Sequence, residues 1–110
     1  MPASLNWDLW LGIASDRPFL GGGYYHPGNW RKRLDFGTGT FGDMGCHILD
    51  PVFGSLGVGN PSAITSSGEA PPNDTNWGLN GQVEFVFPGT KYTADTVTLT
   101  WYNGKNRPPA

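Results

Sequence analysis

Residues 40–57, TFGDMGCHILDPVFGSLG, are the one stretch of this chain in which apolar side chains keep a helical period for several turns. Phe41, Met44, Ile48, Leu49, Val52, Phe53 and Leu56 fall on one side of a wheel turning about 100° per residue. A single amphipathic helix of that length is the scaffold around which the rest must be arranged. Pro51 has no amide proton and its ring crowds the preceding turn, so the pattern predicts a kink there, or a second short helix starting at it. Gly57 and Gly59 end it.

Downstream the period changes to two. SAITSSGE (62–69) alternates weakly, GQVEFVFPG (81–89) puts Val83, Phe85 and Phe87 on one face, and DTVTLTWYNG (95–104) sets Val97, Leu99 and Trp101 against threonines. These predict antiparallel strands, with PGTKYTAD as a hairpin turn and APPNDTNWGLN as a mobile, Pro/Asn-rich connector. Upstream, SLNWDLWLG (4–12) offers Ser4 as an N-cap and Gly12 as a stop for a helix of two turns. From Ile13 to Thr40 no period survives, and loops that long are usually functional, disordered or supported by a missing neighbour.

The expectation is an α+β fold: a small open antiparallel sheet of three strands, one main helix packed on one face, and many loops. At 110 residues the chain is one domain, 1–110, able to bury about two thirds of its unfolded surface. With 17 Gly and 10 Pro it approaches a low-complexity composition, but five Trp, four Tyr and six Phe argue for a folded core. Two thin layers leave unpaired sheet edges and an uncovered aromatic face, which predicts a homo-oligomer, most simply a two-fold dimer.

A formal charge of −2 supplies no field for drawing in nucleic acid or anionic membrane, and no apolar run approaches the roughly 18 residues that span a bilayer. The single cysteine, Cys46, cannot staple the chain to itself, and the N-terminus lacks the order of a secretory signal. A reducing cytoplasm is the expected setting.

Three ionisable groups stand out. Asp43, His47 and Asp50 lie within about 60° of one another on the wheel, roughly opposite the apolar stripe. At i and i+4, Asp43 and His47 can share a hydrogen bond that fixes the imidazole tautomer for general acid/base work or metal ligation. The competing reading is a merely solvated helix face. Gly37, Gly39, Gly42 and Gly45 strip side chains from around the helix start, which admits either a ligand or tight packing. In YYHPGNWRKR, Tyr25 and Trp30 offer ring faces to a sugar and Asn29 and Arg31 offer partners for hydroxyls, making these four the candidate substrate-binding residues. Three clustered cations are too few to grip a nucleic acid, and the same aromatics would serve equally as core. GTGTFG lacks G-x-G-x-x-G spacing and a preceding strand, so dinucleotide binding by this chain is rejected.

Together LNWDLWLG, YYHPGNWR, DFGTGTFGDMGCHILDP and VTLTWYNG resemble the C-terminal domain of bacterial glucose-fructose oxidoreductase/inositol dehydrogenase (Gfo/Idh/MocA) proteins, over nearly the whole chain. The resemblance implies a substrate domain with an open, largely antiparallel sheet, whose helix carries an Asp and a His four apart that meet the substrate's reacting hydroxyl carbons. These map to Asp43 and His47. It also implies NAD(P)-dependent oxidation of sugars or polyols, helped by a lysine of a Glu-Lys-Pro motif in an N-terminal Rossmann domain. Neither that domain nor that motif is in this sequence, and Met1 stands almost directly before the family-like segment, as in an internal start or a truncated frame.

Three functions are therefore expected in competition. One is a stand-alone fragment that binds a small sugar or polyol without NAD-dependent turnover. A second is a metal-dependent hydrolase of activated esters or phosphoesters, with Zn²⁺ or Mn²⁺ held by Asp43, His47 and Asp50 and completed by His26, Cys46 or a symmetry mate. The third is a non-catalytic homo-oligomeric module.

Overall fold

The computed structural model describes residues 1–110, less the side chains of Pro27 and Ala70. Three helices precede three strands: α1 (Trp7–Leu11), α2 (Pro27–Trp30), α3 (Gly39–Leu56), β1 (Ala63–Ala70), β2 (Asn80–Pro88) and β3 (Thr96–Asn103). The strands form one antiparallel sheet in the order β1-β2-β3. The α+β expectation, with its open sheet and one main helix, is what the chain adopts.

Register explains which side of the sheet is covered. Val83 pairs with Trp101, Phe85 with Leu99 and Phe87 with Val97, so these residues share one face. Phe41 of α3 packs on Phe85 and Trp101, and Phe53 packs edge-on against Phe87. Phe87 is 1% exposed and is the one fully buried large side chain. The aromatic face is thus the covered one. The face turned away from α3 carries Gln82, Glu84 and Val86 beside Thr98, Thr100 and Tyr102, while on the aromatic face Ile64, opposite Phe85, stays 60% exposed.

Intrinsic propensity does not make α3. Gly42, Gly45 and Gly54 inside it cost about 1 kcal/mol each relative to alanine and Pro51 about 3 kcal/mol. Packing of Phe41 and Phe53 on the sheet must offset that cost. The helix nevertheless runs uninterrupted through Pro51, and no second helix begins there. Since Pro51 has no amide proton, the His47 carbonyl lacks the donor four residues on that the helical pattern would give it. Gly57, at φ 63°, closes the helix in the left-handed region that favours glycine, and its amide donates to the Phe53 carbonyl at 2.9 Å. The Thr90 hydroxyl donates to the orphan Leu56 carbonyl at 2.6 Å, tying the end of α3 to the β2–β3 turn.

The stretch before α3 packs its own aromatic rings together. Trp7 stacks on Trp10 at 4.9 Å, and Tyr25 lies within 4.7–6.1 Å of the rings of Trp7, Trp10, Phe19, Tyr24 and Phe36. These rings form a second, aromatic core. α1 starts later than Ser4 predicts because Asn6 is the N-cap, its side chain accepting from the Leu9 amide at 3.0 Å; Gly12 does end it. The 71–79 connector is pinned. Asn76 forms an antiparallel bridge with Arg33, Leu34 donates to the Thr75 carbonyl, and Trp77 donates to the Lys32 carbonyl.

Two cores end to end make an elongated molecule. Its extents are 58 × 27 × 24 Å and its radius of gyration 17.9 Å, against about 13 Å for a compact chain of this size. Its surface of 7614 Å² exceeds by about 1,600 Å² what a folded monomer of this mass exposes. No helix among the described residues is long and apolar enough to cross a membrane.

Candidate functional site

The start of α3 is built by a loop that folds back on itself. His26 caps α2, its Nδ1 accepting from the Gly28 amide at 3.2 Å, and Pro27 occupies the first turn, where its missing amide proton costs nothing. Arg31 ends α2, and its carbonyl accepts from the Gly39 amide at 3.0 Å. One residue thereby closes one helix and satisfies a donor at the start of the next. Trp77 locks the crossing, its indole N–H donating to the Gly37 carbonyl at 2.7 Å. Gly39, at φ 70°, sits so close to Trp77 that a Cβ there would lie 2.9 Å from the Trp77 Cβ. The glycines before the helix are thus filled by backbone and indole, which is the tight-packing reading. No strand runs directly into them.

From this loop the Arg31 guanidinium reaches α3 and forms an ion pair and hydrogen bond from its Nη1 to Asp43 Oδ2. Both side chains are about one third exposed, so the pair is partly shielded from solvent. Asp43 was expected to bond His47, four residues on. Among the described residues no hydrogen bond joins them; the carboxylate is turned to Arg31, and His47 and Asp50 are exposed. The Cys46 thiol donates back to the Asp43 carbonyl at 3.8 Å.

The four expected substrate-binding residues divide. Tyr25 is buried at the centre of the aromatic core and lines a depression of about 230 Å³. Its burial suits the other role that the sequence left open for these aromatics, that of core. The Asn29 amide donates to the Gly23 carbonyl at 2.8 Å, Trp30 is half-buried, and Arg31 stands at Asp43. The metal set of Asp43, His47, Asp50 and His26 is not gathered within one chain: among the described residues no three His, Cys, Asp or Glu side chains group around a point. His26 is held at the α2 cap, and Asp43 is engaged by Arg31.

Sequence reasoning did not find Trp77. Together with Thr38, Phe41 and Trp101 it walls a cleft of about 360 Å³ between the start of α3 and the strand ends, a volume in the small-ligand range. The Trp101 indole N–H is buried there without a partner. The available signal was a lone tryptophan inside a polar connector.

A family model described as the C-terminal alpha/beta domain of an oxidoreductase family matches residues 1–88. No curated protein matches the chain.

Proposed function

Because the chain belongs to that oxidoreductase family as its C-terminal alpha/beta domain, we propose that it is a substrate-holding domain that presents Asp43 and His47 to a small sugar or polyol and depends on a separate unit for the nicotinamide. The observation that carries this reading is the placement of the two side chains. Both project from the side of α3 away from Phe41 and Phe53, so the sheet does not consume them. His47 can accept or donate a proton at a substrate hydroxyl, and the Asp43 carboxylate accepts hydroxyl hydrogen bonds.

Hydride transfer needs a dinucleotide held beside the substrate carbon. This chain's own residues do not fit one: the sheet is antiparallel, with no parallel switch point, and the glycines at 37 and 39 are occupied. The domain alone binds and orients. A metal-assisted hydrolase would need a further ligand from a second copy, since the described residues of one chain do not group three donors.

Isothermal titration with sugars and polyols, with and without NAD, tests this reading. Binding of a polyol that weakens at least tenfold in Asp43→Asn and in His47→Ala is expected, with no heat from NAD. Tight dinucleotide binding, or polyol binding indifferent to both substitutions, would show the reading to be wrong.

A further inference from the structure

The ion pair at Asp43 bears on how the two site residues act. Arg31 has little freedom in where its side chain begins. Its backbone is the end of α2, its carbonyl is bound by Gly39, and Gly37 passes so close that a Cβ there would lie 2.4 Å from the Arg31 carbonyl oxygen. The guanidinium is therefore delivered to the first turns of α3 by a rigid crossing. An arginine–carboxylate bond is stronger than one from a neutral imidazole N–H, so Asp43 turns to Arg31 rather than to His47. The charged groups around His47 are Asp43 and Asp50 on its own helix and Arg31 from the crossing; Cys46 adjoins them.

We propose that Arg31 is a positioning residue that holds the Asp43 carboxylate away from the His47 imidazole, so that a ligand meets two separate groups and not a hydrogen-bonded couple. The inference rests on Asp43 and His47 being the ligand-facing pair, but it concerns the free protein and can be tested without any ligand. With Arg31 in place, the imidazole chooses its tautomer by solvent. With the guanidinium removed, Asp43 is at i and i+4 with His47, can swing to it, and would fix the proton on the nitrogen that faces it.

Long-range ¹H–¹⁵N spectra of the two imidazoles, with His26→Gln to assign them, read this directly. In the wild-type chain Asp43→Asn is expected to leave the His47 tautomer pattern unchanged. Arg31→Gln is expected to shift it toward one tautomer, Asp43→Asn on that background to cancel the shift, and Arg31→Lys to restore the wild-type pattern. Backbone amide spectra check that each variant is folded, and the Asp43→Asn comparison stands even if Arg31→Gln does not fold. A wild-type pattern already sensitive to Asp43→Asn, or no shift in folded Arg31→Gln, or an Arg31→Lys pattern like that of Arg31→Gln, overturns the inference. Failure of polyol binding would leave these spectra untouched and would count against the functional reading alone.

Discussion

Replacing Gly54 by alanine should stabilise this chain, while the same replacement at Gly42 in the same helix should weaken it. Nothing lies within 4 Å of a Cβ built at Gly54, and its φ is not in the left-handed region. The added methyl lowers the entropy of the unfolded chain without a clash and contributes about 0.4–1 kcal/mol. At Gly42 the Cβ would fall 2.4 Å from the Cβ and Oγ1 of Thr38, the N-cap residue just before α3. A Cβ cannot rotate out of the way, so the backbone of the first turn must shift, at about 1–3 kcal/mol. An unfolding entropy of about 2.1 cal/mol/K per residue gives about 0.23 kcal/mol/K for the whole chain, so Gly54→Ala raises Tm by about 2–4 °C. Urea melts followed by tryptophan fluorescence give both values, provided that the m-value stays constant. A loss of more than about 0.5 kcal/mol in Gly54→Ala would mean that something packs over this exposed position in solution. That result would refute the assumption that α3 is open to water there.

Phe87→Ala removes the one fully buried large side chain, which Phe53 meets edge-on, and should cost about 3–5 kcal/mol in the same melts; a cost under about 1 kcal/mol would place the core elsewhere. Gly39→Ala combines a positive φ with a 2.9 Å approach to Trp77, so a loss of about 1–3 kcal/mol is expected, and a change within about 0.5 kcal/mol would contradict the crossing as described. Asp35→Asn breaks an ion pair with Arg17 that solvent reaches, and melts at low and high salt should show less than about 1 kcal/mol. A larger, salt-insensitive loss would show that the pair is shielded.

Period carried most of the fold. The alternation of Val83, Phe85 and Phe87 against Val97, Leu99 and Trp101 put both strands within a residue of their ends, and the face they share is the covered one. The long helix was legible for the same reason, and Gly57 marked its close. What escaped has no period. α2 is four residues long and is recognisable only from Pro27 at its start and His26 as its cap. The 71–79 connector looked free because its order comes from an Asx turn at Asn73 and a bridge to Arg33, more than forty residues back in the chain. At the site, the spacing of Asp43 and His47 showed that they share a face, since four residues make about one turn. It could not show that a guanidinium twelve residues upstream competes for the carboxylate. A contact between two segments appears only once both are folded.

Pro51 leaves one rung out of the ladder of α3, and the missing rung belongs to His47. On one side of that notch the helix is tied to the preceding loop through Arg31; on the other it is tied to the hairpin through Thr90. Twisting one end of this long molecule against the other therefore loads the helix at the backbone of His47, beside the gap that Pro51 leaves.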